Sequence, residues 1–200
     1  MSVNTVSTFF AVGTIFLGVG VLGVVVLWLV ALVSDSAAAA LERLSDSVRG
    51  YGLWIAWLMA VVATLGSLYY SEIAGFTPCE YCWYQRIAMY PLVVILGIAA
   101  FRRDHSIRRY VLPLAVVGGL ISAYHYTIQH FPSIDVGSCN VFAPCSAAWV
   151  WTFDFVSIPL MALVSFAVII TVLALDRPGL SALDSEMAIV QGSLALEEDA

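Results

Sequence analysis

Five long apolar runs separated by short polar stretches set the plan of this chain. The first, about Thr8 to Val33, is long enough to cross a hydrocarbon core of about 30 Å. No Lys or Arg precedes it, and it exceeds the roughly 7–15 residues of a signal-peptide apolar region. A retained spanning helix is therefore expected rather than a cleaved leader. Ser34 to Gly50 is polar, but Ala37–Ala40, Leu41, Leu44 and Val48 recur at near-helical spacing. That pattern predicts a short amphipathic helix on the membrane surface, with a plain linker as the alternative. Tyr51 to Tyr70 is the second run, with Trp54 and Trp57 near one end and Tyr69 and Tyr70 at the other, as interfacial belts require. The third runs from Pro78 to Phe101, the fourth from about Tyr110 to His130, and the fifth from about Phe155 to Leu175. Asp184 to Ala200 is acidic and without periodicity, so it reads as a disordered tail.

Composition fixes the solvent. The chain has 200 residues, is 62% hydrophobic and only 11% charged, with a mean hydropathy of +0.95. A soluble domain carries about a quarter charged residues, so lipid must surround most of this one. The net charge of −6 argues against a nucleic-acid partner, and all eight basic residues are Arg. Arg102, Arg103, Arg108 and Arg109 crowd the loop between the third and fourth runs, with only Asp104 against them. By the positive-inside rule that loop is cytoplasmic. The N-terminus is then expected outside, the Arg43/Arg49 linker inside, and the C-terminus inside, with Arg177 marking the inner end of the last span. No internal repeat, Gly-rich phosphate loop or dinucleotide fingerprint is present.

The chemistry concentrates at Thr77-Pro78-Cys79-Glu80-Tyr81-Cys82-Trp83-Tyr84-Gln85-Arg86. Thr77 with Glu80 reads as a capping box, and Pro78 falls at the first helical position. Counted from Pro78, the helix is roughly 36 Å long and spans even with Cys79 at the rim. Cys79, Cys82 and Arg86 share one face by their i, i+3, i+7 spacing. A helix N-terminus and a nearby guanidinium both favour a thiolate, and the dipole alone favours Cys79, the nearer to the start.

The other two cysteines, Cys139 and Cys145, lie in the loop from Phe131 to Asp154, which has no Lys or Arg. All four are thus expected on the oxidising side, one pair at a helix start and one on a loop punctuated by Gly137 and Pro144. Three readings compete: two inert disulfides, a four-cysteine zinc site, and an electron relay by thiol–disulfide exchange. A staple does not explain a disulfide in a helix's first turn, and thiols on this side tend to oxidise rather than hold zinc, so the relay is preferred and no metal is expected. Ser122, His125 and Gln129 line one face of the fourth run at its outer end, level with the CxxC. A packing role is the plain reading for a buried His, but an ionisable group inside a membrane is a functional candidate. His125, Gln85 and Arg86, with Gln129 on the same face as His125, could line a pocket that binds a quinone's carbonyl oxygens. Trp83, Tyr84, Trp149 and Trp151 read chiefly as interface anchors.

The block Pro78-Cys79-Glu80-Tyr81-Cys82-Trp83-Tyr84-Gln85-Arg86, followed by Met89-Tyr90-Pro91-Leu92, resembles the DsbB/BdbC family of membrane thiol-disulfide oxidoreductases. Tyr124-His125-Tyr126 with Gln129, the Cys139/Cys145 pair and Ile158-Pro159-Leu160 resemble its BdbC branch. The resemblance spans about Tyr51 to Leu175. It implies a four-helix bundle, here over 51–176; the extra N-terminal spanning helix over 1–34 departs from the family and, with the cytoplasmic linker over 35–50 and the acidic disordered cytoplasmic tail over 177–200, completes the all-α integral membrane protein read from the apolar runs. It also implies reoxidation of an extracytoplasmic thioredoxin-like dithiol oxidase, with electrons passed to a membrane quinone of menaquinone or ubiquinone type. By position, Cys82 would face the quinone with Arg86 beside it, Cys139 would react with the partner, and Cys145 would shuttle electrons to Cys79. The two loop roles rest on order alone and could be exchanged. Vitamin K epoxide reductase-like proteins share the bundle but place the loop pair before the CxxC. A non-enzymatic membrane protein with two structural disulfides is the rival from another class.

Overall fold

Six α-helices account for most of the chain in the computed structural model, which describes residues 2–135, 139 and 143–176. They are α1 (Val3–Ala31), α2 (Asp35–Val48), α3 (Gly52–Leu68), α4 (Glu80–Arg102), α5 (Arg108–His130) and α6 (Ile158–Leu175). A π-helical turn, Tyr69–Ile73, continues α3, and 3-10 turns precede and follow α5. Five segments are long and apolar enough to cross a membrane: α1, α3 with its π turn, α4, α5 with the turn before it, and α6. Among the described residues the only β feature is an isolated antiparallel bridge, Thr152 to Val156. The expected tail and Arg177 lie outside the described residues.

The helices α3, α4, α5 and α6 pack in a closed ring, each against the next and α6 back onto α3. Their shared core is Leu92 and Leu96 of α4, Val111 and Ala115 of α5, and Phe166, Ile169 and Leu173 of α6. The outward faces are equally apolar, with Leu58, Leu65, Val94, Ile98 and Leu120 exposed. A helix apolar all round needs either a protein core or lipid on every side, and these have protein on only one. Close approach is bought with glycine: a Cβ on Gly118 would lie 2.3 Å from Cζ of the fully buried Phe166.

At one end of the bundle, α4 turns sharply into α5. Arg103 adopts a left-handed conformation (φ 54°), and the Asp104 N–H donates to the Ala99 carbonyl at 2.9 Å. Asp104 Oδ1 then accepts from the Ser106 N–H, and Ser106, through its side chain first and this backbone bond second, holds the carboxyl below the usual range. Beside this turn the buried Asp176 accepts from the Gly50 N–H at 3.0 Å, while Arg108 donates to its carbonyl. The four arginines of the expected inner loop therefore gather at this end, and all four cysteines at the other.

Two boundaries differ from the sequence pattern. The first helix begins at Val3, five residues early, because Ser2 Oγ accepts from the Thr5 N–H and caps it. The last begins at Ile158, because Phe153 and Asp154 take left-handed conformations and close the tight Thr152–Val156 turn. Pro159 then falls in the first turn, where no N–H is missed. The amphipathic segment is helical, as its spacing predicts, and its apolar face packs on α1 and α6, with Ala37 buried and Leu41, Leu44 and Val48 half-buried.

Candidate redox site

Gly75 (φ 72°) turns the chain out of the π turn, and residues 75–79 run irregularly to the start of α4. Cys79 is the N-cap. Its backbone is extended (φ −74°, ψ 175°), and its Sγ accepts from the Cys82 N–H at 3.4 Å. The expected capping box at Thr77 is therefore corrected: the helix starts two residues later, and the cysteine sulfur takes the role of the threonine hydroxyl. Glu80 instead accepts a hydrogen bond from the Tyr84 hydroxyl at 2.7 Å, one turn ahead. The two sulfurs lie 2.7 Å apart as free cysteines, Cys79 buried and Cys82 half-buried. The surroundings of Cys79 oppose the helix dipole. Its hydrogen bond with Cys82, and then burial, push that thiol upward against the weaker effect of His125.

Cys139 and Cys145 form a disulfide with Cα atoms 5.8 Å apart. Cys145 is fully buried and packs in one cluster with Cys79 and Ile128, while Cys139 is only half-buried at its edge. His125 joins the two pairs. Its Nε2 lies 3.5 Å from Cys79 Sγ and 3.2 Å from the Cys145 carbonyl oxygen, and its Nδ1 is 3.3 Å from Gln85 Nε2. The imidazole is 1% exposed, so these contacts meet the need of a buried ring for partners.

On the other side of α4 is a cavity of about 290 Å³, near the lower end of the roughly 300–1,000 Å³ usual for small-molecule sites. Cys82, Gln85 and Arg86 line it, and Cys79 does not. Arg86 is fixed there by α3: its Nε donates to Ser67 Oγ and its Nη2 to the Ser67 carbonyl, both at 3.1 Å. Tyr90 also donates to Ser67 Oγ, and the guanidinium lies 5.2 Å from the Trp83 ring centroid. The rest of the wall is largely apolar, including Met59, Val62, Met89, Met161 and Phe166.

The structure thus gathers six of the eight residues singled out from sequence, Cys79, Cys82, Cys139, Cys145, Gln85 and His125, around one bond network, with Arg86 on the cavity side. His125 stands behind Gln85 rather than in the cavity wall. Gln129 is further off, its Nε2 3.5 Å from the Ala147 carbonyl and its Oε1 buried without a partner. Sequence reasoning missed Ser67 and Tyr90. The signal for Tyr90 was its place one turn after Arg86; Ser67, on another helix, gave none. Trp149, read as an anchor, lines the cavity and stacks on Phe76 at 5.5 Å.

The Cys79, Cys82 and His125 ligand atoms also lie within 4.8 Å of one another, a spacing compatible with a metal ion. Sulfur and imidazole would suit zinc, but three ligands make an open rather than a closed structural site.

The family model described as Disulfide bond formation protein DsbB matches residues 50–175. Disulfide bond formation protein C of Bacillus subtilis is 48% identical over 124 residues, covering 62% of this chain and 90% of its own. A probable disulfide formation protein of Deinococcus radiodurans is 45% identical over 153 residues, covering 72% of this chain and 99% of its own. Probable disulfide formation protein C 2 of Bacillus anthracis is 43% identical over 130 residues, with 65% and 93% covered. No solved structure matches the chain.

Proposed function

This chain belongs to the disulfide bond formation protein DsbB family, and we propose that it generates disulfides in an extracytoplasmic dithiol oxidase of thioredoxin-like type and passes the electrons to a membrane quinone. The observation that carries this reading is the sorting of sulfurs at the start of α4: Cys79 is buried in one cluster with Cys145 of the loop disulfide, whereas Cys82, at the edge of that cluster, also lines the cavity. Two inert staples would have no use for a lipid-level cavity at one of their sulfurs.

Each step of the relay is a thiolate–disulfide exchange. A partner thiolate attacks Cys139, the more exposed sulfur of the loop pair, and releases the Cys145 thiolate. The second partner thiol then closes the partner's disulfide and frees Cys139. Cys145 attacks Cys79 of an oxidised Cys79–Cys82 pair and expels the Cys82 thiolate. Cys139 then attacks Cys145, restoring the loop disulfide and leaving Cys79 and Cys82 reduced. Reclosing Cys79–Cys82 releases two electrons and two protons.

A quinone in the cavity supplies the acceptor for both. The donor set suits it: Arg86 and the Gln85 amide offer N–H groups to carbonyl oxygens, Cys82 offers the electron-rich sulfur, and apolar side chains cover the rest. Arg86 also holds positive charge where the acceptor gains negative charge. In this reading the cysteines and the N-terminus lie outside; the cluster of Arg102, Arg103, Arg108 and Arg109 at the other end supports it by the positive-inside rule.

The test uses purified protein, a reduced thioredoxin-like dithiol and a soluble quinone analogue, followed by quinone absorbance. Thiol-dependent quinone reduction that disappears in Cys82→Ser supports the reading. A well-folded protein without that activity would sink it.

A further inference from the structure

The helix α1 lies outside the residues matched by the family model, which begin at 50, yet it supplies part of the cavity that holds Cys82 and Arg86. Phe10, Gly13, Thr14 and Leu17 all line it. The backbone of α1 packs along α6 and α2, not closely along α3. Two side-chain contacts reach across to α3 instead. The Phe10 ring sits where a Cβ on Gly66 would be 3.2 Å away, and the Tyr70 hydroxyl donates to the buried Ser7 Oγ at 3.2 Å. Tyr70 belongs to the π turn, a distortion that often marks functional positions in helices. From Phe10 the rings continue through Tyr70 and Phe76 to Trp149, with centroids 6.3, 6.0 and 5.5 Å apart.

The α1 wall offers shape rather than hydrogen bonds. The Thr14 hydroxyl donates to the Phe10 carbonyl at 2.8 Å, which leaves its methyl for other contacts. Gly13 has no atom within 4 Å of the place its Cβ would take, so the wall is recessed at that point. The polar groups beside the reactive sulfur, by contrast, come from α4.

We propose that α1 is the outer wall of the electron-acceptor site, and that its Phe10–Leu17 face packs the ring and isoprenoid chain of the quinone and so selects among quinones by size. This rests on the quinone reading above. A lipid-dissolved ligand must reach Cys82 from the membrane, and α1 is the helix added on that path.

A Cβ at Gly13 or at Gly20 would meet no atom within 4 Å, so Gly13→Phe adds bulk in the recess, and Gly20→Phe, away from the cavity, controls for bulk on the helix. The expected result is a rise of about tenfold or more in the KM for a quinone analogue in Gly13→Phe. The KM for the reduced dithiol and the quinone-independent exchange with Cys139–Cys145 should be unchanged, and Gly20→Phe should match the parent. As a variant-free readout, a photoreactive azidoquinone should label a peptide within 3–31 of the unsubstituted protein. An unchanged quinone KM in a folded Gly13→Phe protein, with label only in peptides of α3 to α6, would overturn the wall while leaving the quinone reading intact. A parent protein that reduces no quinone removes both.

Discussion

Gln85 and His125 meet at 3.3 Å, amide nitrogen to Nδ1, although they come from different helices. With the amide donating, the ring proton is placed on Nε2, the nitrogen that faces both Cys79 Sγ and the Cys145 carbonyl. One residue of the cavity wall thus sets the orientation of the group that touches both the Cys79 sulfur and the Cys145 backbone.

Substitution of His125 should therefore slow exchange between the pairs more than it affects quinone binding. His125→Phe is expected to reduce the rate at which a reduced loop pair transfers electrons to Cys79–Cys82 by about 10- to 100-fold, the range of one charge-assisted or buried hydrogen bond. The KM for quinone should change little. Rapid acid quenching with thiol mapping measures the transfer directly.

Arg86 is held by two bonds to Ser67 with fork geometry. A lysine ammonium cannot reproduce both and remain directed at the cavity. Arg86→Lys is expected to raise the quinone KM by about tenfold or more, and Ser67→Ala to give a smaller change of the same sign. Steady-state quinone titration of the two variants checks the ranking.

The reduced pair should show an alkaline pH dependence. The Cys79 thiol is pushed above its ordinary value by its hydrogen bond with Cys82 and by burial. It therefore keeps its proton at pH values where a free thiol, with a pKa of about 8.5, would already be losing it. Closing the Cys79–Cys82 disulfide requires that proton to leave. Single-turnover oxidation of the reduced protein should accelerate with rising pH and show no plateau near the free-thiol value.

Packing at Gly118 admits no side chain. Gly118→Ala drives a methyl into the buried Phe166 ring, and overpacking of this kind costs about 1–3 kcal/mol. The variant should unfold at a lower temperature in detergent, and Phe166→Leu added to it should recover part of the loss.

Much of this architecture was legible because membrane spans announce themselves by length. The pattern of apolar runs found every long helix, and the length of the third run required the CxxC to sit at its start. Helix boundaries were less legible where side chains act at a distance. Thr77, Pro78 and Glu80 carry the local signature of a cap, yet Cys79 takes that position, because an extended backbone there brings its sulfur to both Cys82 and His125. The loop pair and His125 could be nominated from sequence, but their arrangement could not. Whether a buried histidine faces a cavity or the back of a glutamine depends on how α4 and α5 pack. The part of α1 in the cavity was the least legible, since nothing in the run Phe9-Phe10-Ala11-Val12-Gly13-Thr14 distinguishes a lipid-facing side from a cavity wall.

The sorting of sulfurs is tested most directly by pairing cysteines two at a time. In Cys82→Ser/Cys139→Ser protein only Cys79 and Cys145 remain, and in Cys79→Ser/Cys139→Ser only Cys82 and Cys145. After mild oxidation, peptide mapping should find a Cys79–Cys145 disulfide in nearly all of the first protein and little Cys82–Cys145 disulfide in the second. Equal yields in the two, or a preference for Cys82, would contradict a relay in which Cys79 faces the loop and Cys82 faces the acceptor.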